Sequence, residues 1–70
     1  MRLTARNQLA GTIAEIDAGA VMTIVKVSLD GGQAITASVT KESVQELGLK
    51  VGDPVTAVIK STEVMLGVGD

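Results

Sequence analysis

Two segments rich in β-branched residues, joined by consecutive glycines, constrain the fold of this chain most. Half of residues 20–29 are Val, Thr or Ile, a composition that favours a pleated strand over a helix. Asp30-Gly31-Gly32 follows, and because both glycines accept a positive φ, this triplet is typical of a tight hairpin turn. Residues 33–39 then supply the returning strand, with their larger apolar side chains on one face. The sequence therefore predicts a β-hairpin in the middle of the chain.

One helix is predicted, from Lys41 to Leu47. Thr40 is a suitable N-cap for it, and Gly48 can end it in a left-handed conformation. Val44 and Leu47 fall on one face of this helix, whereas the two glutamates and Gln45 face water.

Three further strands complete the prediction: residues 8–16, which end at an Asp17-Ala18-Gly19 turn, residues 55–60, and a short final strand over residues 64–66. Five short strands with one helix before the fourth predict an all-β domain with one short helix, built as a small closed or nearly closed barrel of the OB type. Seventy residues form a single domain, so one domain is expected over residues 1–70. This architecture serves many unrelated ligands and does not by itself indicate a function.

The apolar content is high for so short a chain. Hydrophobic residues make up 46% of the sequence, and every bulky one is Val, Ile, Leu or Met, since Phe, Tyr and Trp are absent. This is more aliphatic surface than one small core needs, so we expect the excess to lie in subunit interfaces of an obligate oligomer.

Missing residue types exclude several classes of function. Without Cys or His, the chain lacks a thiolate nucleophile, the usual general base and the commonest transition-metal ligands. The eight acidic residues are scattered, with no pair spaced for acid–base work on one element, so catalysis is not predicted. With no aromatic residue and a net charge of −2, the chain is unsuited to stacking nucleobases or coating a nucleic acid or acidic membrane. Neither a signal peptide nor an apolar run of about 20 residues is found, which predicts a soluble cytoplasmic protein.

Two segments are rich in hydrogen-bond donors. Residues 4–8 combine a hydroxyl, a guanidinium and two amides without an acid, and residues 60–62 are Lys-Ser-Thr. Thr40, Lys41 and Ser43 add donors at the start of the predicted helix. A site made of donors alone suits a fully deprotonated tetrahedral anion such as molybdate better than phosphate, whose proton needs an acceptor. Taken one at a time, these residues also have simpler interpretations, as solvated charges and a helix cap.

Four motifs connect the chain to a known family. Thr4-Ala5-Arg6-Asn7-Gln8 closely resembles the Ser-Ala-Arg-Asn-Gln signature of the molbindins, the stand-alone members of the molybdate-binding Mop (TOBE) family. The others follow in order along the sequence: Asn7-Gln8-Leu9 followed by Gly11, Ile35-Thr36 with Ser43-Val44-x-Glu46-Leu47-Gly48, and Thr56-Ala57-Val58-x-Lys60-Ser61-Thr62-x-Val64-Met65. Their order and the chain length make the resemblance specific.

This resemblance implies a fold, an assembly and a function. It implies an OB-like barrel that pairs through exchanged strands, three such dimers forming a hexamer, and molybdate or tungstate held at subunit interfaces for intracellular storage and buffering, without an organic cofactor. Thr4 stands at the position of a ligating Ser, and its extra methyl group changes the shape of that position. Arg6, Lys60 and Ser61 match ligating residues, and Thr40 matches a hydroxyl given by the neighbouring subunit. Asn7 lies inside the first motif and is assigned a supporting or backbone role.

Two alternatives stay open at this stage. The first is a module of the same fold that senses an anion and works with a transporter or a transcriptional regulator. The second is an OB barrel that binds nucleic acid, which the charge and the missing aromatics disfavour.

Overall fold

The computed structural model describes residues 2–69. Over this range the chain forms four strands, one α-helix and one 3₁₀ turn. In chain order these elements are β1 (Asn7–Ala18), β2 (Met22–Leu29), β3 (Ala34–Thr40), α1 (Lys41–Leu47), β4 (Pro54–Ile59) and the 3₁₀ turn (Ser61–Glu63). The all-β prediction with one short helix is confirmed. Within residues 2–69, no helix is long and apolar enough to cross a bilayer.

The sheet is antiparallel throughout, in the order β3-β2-β1-β4, and it curls into a half-barrel. β1 is the strand that makes it curl. Its first half pairs with β4 from Asn7 to Thr12, and its second half pairs with β2 from Gly11 to Ala18. The register with β2 shifts between Ile13 and Glu15, which marks a β-bulge. A bulge bends a strand and increases its twist, so β1 can serve both neighbours. β1 also continues through Asp17 and Ala18, which the sequence had predicted to be a turn.

The predicted hairpin between β2 and β3 is present. Leu29 N–H donates to the Gln33 carbonyl at 2.7 Å, and Gly32 N–H donates to the Leu29 carbonyl at 2.9 Å. Gly32 has a φ of 93°, a conformation that favours glycine. The pairing from Ser28–Ala34 to Met22–Thr40 then runs without interruption.

α1 has the bounds that the sequence predicted. Thr40 is extended and its Oγ1 accepts a hydrogen bond from Ser43 N–H at 3.0 Å, so it caps the N-terminus. Gly48 ends the helix at a φ of 62°. Val44 packs against the core, but Leu47 is 73% exposed because it lies at the open rim of the half-barrel.

The core lies on the concave face of the sheet. It is centred on Ile13, Val25 and Val27, which are at most 6% exposed. Around these residues an apolar groove of about 390 Å³ stays open to solvent. The groove is lined mainly by aliphatic side chains of the sheet and of the segment after α1, among them Ile35, Ala37, Val39, Leu49 and Val55. The single chain therefore builds one side of a hydrophobic core.

The predicted fifth strand is absent from the sheet: residues 64–66 form no strand. The 3₁₀ turn after β4 redirects the chain, and Val64, Met65 and Leu66 are 46%, 90% and 95% exposed. An OB barrel closes when a fifth strand bridges its open edges. In this chain that position is empty, which explains why the structure is a half-barrel and not a closed one.

At Gly11, β1 and β2 approach too closely to admit an added side chain without a shift. An Ala Cβ there would lie 2.6 Å from the Ser28 carbonyl oxygen and 2.8 Å from Val27 Cγ1. We expect Gly11→Ala to lower the free energy of unfolding by about 1–3 kcal/mol, the usual cost of overpacking. Urea unfolding at a fixed protein concentration measures this.

Gly31→Ala is the matched control. Nothing lies within 4 Å of the added Cβ, and Gly31 lies outside the positive-φ region. Its effect should stay within about 0.5 kcal/mol of zero. Equal losses for the two variants would contradict the close packing of β1 on β2.

Candidate functional site

The donor-rich segments of the sequence meet at one end of the β1–β4 ladder. Asn7 pairs with Ile59 in the last rung of this ladder. Because the strands are antiparallel, the chain before Asn7 and the chain after Ile59 leave the sheet side by side. Arg6 and Lys60 are therefore brought together although they are far apart in sequence.

The two segments enclose a small cleft, called here the donor cleft. It has a volume of about 260 Å³ and is lined by Thr4, Ala5, Arg6, Lys60, Ser61 and Thr62. Four of the six residues predicted from the sequence lie in it: Thr4, Arg6, Lys60 and Ser61. The lining carries a guanidinium, an ammonium and three hydroxyls, and it includes no carboxylate.

The two cations of the donor cleft form no ion pair within residues 2–69. Over residues 2–69, the ion pair is the exposed one between Lys26 and Glu15 at 3.3 Å, and neither Arg6 nor Lys60 takes part in one. Two positively charged residues that line one cleft raise the local potential there. An anion in the cleft would be attracted by this potential and could accept charged hydrogen bonds from both side chains.

Asn7 lies behind the donor cleft and does not line it. The side chain is half-buried, and its Nδ2 donates a hydrogen bond to the Ile59 carbonyl at 3.1 Å. Its amide is thus engaged with the backbone of β4. The supporting role assigned to Asn7 from the first motif stays a prediction, and the structure places Asn7 next to the cleft, outside the residues that line it.

Thr40 lies outside the donor cleft. It lines a separate open depression at the start of α1, together with Ala20, Val21, Lys41, Glu42 and Gln45. Its hydroxyl accepts from Ser43 N–H and donates to Ser43 Oγ at 2.6 Å. The family resemblance assigns Thr40 to the site of a neighbouring subunit, and within one chain the structure does not bring it to Arg6 and Lys60.

Thr62 and Ala5 line the cleft but were not among the predicted site residues. Thr62 belongs to the Lys-Ser-Thr segment, so the sequence did contain its signal, a third donor directly after Ser61. Its inclusion depends on the 3₁₀ turn over Ser61–Glu63, which folds residue 62 back toward the N-terminal segment.

The chemistry available in the donor cleft is that of binding. It offers hydrogen-bond donors and positive charge but neither a carboxylate nor an imidazole to move a proton. Over residues 2–69, no group of three or more carboxylates lies close enough together to hold a metal cation. The structure is thus a small domain with a curled OB-like sheet and, at one end of that sheet, a cleft lined by two cations and three hydroxyls.

Comparison with known proteins identifies this domain more closely. The family model described as the TOBE domain matches residues 3–66. The chain therefore belongs to the TOBE-domain family.

Among its relatives is a probable molybdenum-pterin-binding protein of Haemophilus influenzae, 43% identical over 68 residues, which are 97% of this chain and 99% of the relative. Among solved structures, a molybdate-binding protein from Sporomusa ovata superimposes with a TM-score of 0.91 at 37% identity, covering 97% of this chain and all of that one. The cytoplasmic molybdate-binding protein ModG, solved with molybdate bound, gives a TM-score of 0.94 at 54% identity, covering 99% of this chain and 49% of ModG.

Thr40 has a measurable structural role through its cap. We expect Thr40→Ala to lower the free energy of unfolding by about 1 kcal/mol, because Ser43 N–H loses its acceptor. Thr40→Asp keeps a good cap and should stay within about 0.5 kcal/mol of the parent. Urea unfolding of both variants in anion-free buffer tests this, and a Thr40→Ala variant as stable as the parent would contradict it.

Proposed function

We propose that this protein binds molybdate, and also tungstate, as the intact oxyanion and serves to store and buffer it in the cytoplasm. The observation that carries the proposal is the donor cleft, whose lining residues combine Arg6 and Lys60 with three hydroxyl side chains and no carboxylate. Similar proteins support this proposal, because the solved structures that the chain resembles include a molybdate-binding protein from Sporomusa ovata and the molybdate-binding protein ModG. In this proposal the protein is not an enzyme and needs no organic cofactor.

A lining with two cations, three hydroxyls and no carboxylate favours a fully deprotonated tetrahedral anion as the ligand. Each oxygen of molybdate is an acceptor, so every donor of the cleft can be satisfied. Phosphate near neutral pH usually carries a proton, and the lining offers no carboxylate to accept it, which costs part of the binding free energy. Sulfate is also fully deprotonated, but it is smaller, so the size of the cavity has to exclude it.

Arg6 and Lys60 supply the charge in this proposal, while Thr4 and Ser61 orient the anion. Thr40 would come from a neighbouring subunit, because within one chain it lies outside the cleft. Asn7 supports the site from behind. A cleft that one chain leaves open would then be completed by assembly.

The uncovered groove supports assembly through exchanged strands. The concave face holds an open apolar groove of about 390 Å³. The chain also carries an apolar segment, residues 64–68, which forms no strand and whose large side chains are exposed. We propose that this segment of a second copy closes the half-barrel between β3 and β4, and that three such dimers form a hexamer. Each chain would then complete its core with a part of its partner.

The alternative, a module that senses an anion for a transporter or regulator, is not favoured. The domain matches 99% of the Haemophilus influenzae relative, so a relative of this family consists of little beyond the domain.

Removal of either cation should weaken molybdate binding. Charged hydrogen bonds contribute roughly 1.5–3 kcal/mol each, so Arg6→Ala and Lys60→Ala should each lower affinity by about ten- to a hundredfold. Isothermal titration with molybdate measures this. Lys50→Ala removes the same charge from an exposed side chain beyond the opposite end of β4, and its affinity should equal that of the parent.

Selectivity is read from the same titrations with sulfate and phosphate, which should give little heat. Failure of the folded, anion-free parent to bind molybdate and tungstate would overturn the proposed function. Parental affinity in both Arg6→Ala and Lys60→Ala would leave the family assignment intact but show that the donor cleft is not the site.

The proposed strand exchange is tested by a charge in the C-terminal segment. Leu66 is 95% exposed in the single chain, so Leu66→Asp costs little there but would bury a carboxylate in the proposed dimer. We expect the parent to be a hexamer by native mass spectrometry and Leu66→Asp to dissociate into smaller species. Gln33→Asp adds the same charge in the exposed β2–β3 turn and should stay hexameric. A hexameric Leu66→Asp variant would contradict the exchange.

A further inference from the structure

We propose that Asn7 is a positioning residue for the donor cleft, and that its side-chain amide holds Arg6 and Lys60 at a fixed separation. This inference rests on the proposed function, since it concerns the same site. It assigns to Asn7 a specific task that the lining of the cleft alone does not indicate.

The geometry places Asn7 at the one rung that both donor segments share. Asn7 begins β1 and Ile59 ends β4, and the two residues are paired in the sheet. The Asn7 Nδ2 donates to the Ile59 carbonyl at 3.1 Å, so a side-chain hydrogen bond joins two strands that the register already pairs. Arg6 directly precedes this rung and Lys60 directly follows it.

The last rung of a two-strand ladder is also the place where strands separate most easily. Amides at the end of an element open at a lower free energy than those in its middle. Here β1 pairs with β4 alone at this end, because its pairing with β2 begins only at Gly11. The Asn7 bond therefore closes a rung that has no further strand to support it on the other side of β1.

A fixed separation matters because Arg6 and Lys60 carry like charges. Without an anion they repel each other, and any opening of the Asn7–Ile59 rung would let them move apart. Binding would then have to restore the separation, at a cost in conformational entropy. A rung that stays closed avoids this cost, so affinity depends on Asn7 although Asn7 does not line the cleft.

The test separates positioning from direct contact by a double-mutant cycle. Asn7→Leu keeps the approximate shape of the side chain but removes its donor. Molybdate affinity is measured by isothermal titration for the parent, Asn7→Leu, Arg6→Ala and the double variant. We expect Asn7→Leu to weaken binding about two- to tenfold in the parent and clearly less in the Arg6→Ala background, because one of the two residues whose separation it fixes is gone.

A second measurement follows the rung itself. Hydrogen exchange at the backbone amides of residues 6–7 and 59–62 should become faster in Asn7→Leu without ligand. Val25→Ala destabilises the core at a buried position away from the cleft, and in this control the affinity of the folded protein should match that of the parent.

The outcomes distinguish the two proposals. A parent that binds no molybdate overturns the proposed function and this assignment with it. A parent that binds, with Asn7→Leu unchanged in affinity or exchange, overturns the role of Asn7 alone. Equal weakening by Asn7→Leu in both backgrounds would show a direct, independent contact with the anion and would also overturn it.

Discussion

The bent strand β1 is the constraint on which the rest of the structure depends. Its twelve residues pair with β4 over the first half and with β2 over the second, and the bulge between Ile13 and Glu15 lets one strand do both. The resulting curl turns Ile13 inward to form the core with β2. The same pairing brings the two ends of the chain together beyond Asn7 and Ile59, where the donor cleft forms.

The curled sheet leaves its hydrophobic core half-covered. Ile13, Val25 and Val27 are buried, but the surrounding aliphatic side chains face an open groove, and the apolar C-terminal segment extends into solvent. Burial of apolar surface is the main favourable term in both folding and association, which is the physical reason for proposing that a second copy covers the groove. The proposed assembly and the proposed site are linked, since both use surfaces that one chain leaves incomplete.

The sequence by itself determined the local structure and the candidate donors. The helix between Thr40 and Gly48 was predicted with its bounds, and the strands that flank the Asp30-Gly31-Gly32 turn were predicted to within two residues, because turn and cap chemistry depends on residues a few positions apart. The donor character of residues 4–8 and 60–62 was equally readable, and the family resemblance selected Arg6, Lys60 and Ser61 among them.

Tertiary structure alone decided which of these residues share a site. Arg6 meets Lys60 because Asn7 pairs with Ile59, fifty-two positions away, and no local pattern encodes that register. It also separated Thr40 from the cleft and added Thr62 through the 3₁₀ turn. The predicted fifth strand is absent from the chain's own sheet for a related reason. A strand needs a partner edge as well as suitable residues, and residues 64–66 have that edge only if another part of the assembly supplies it.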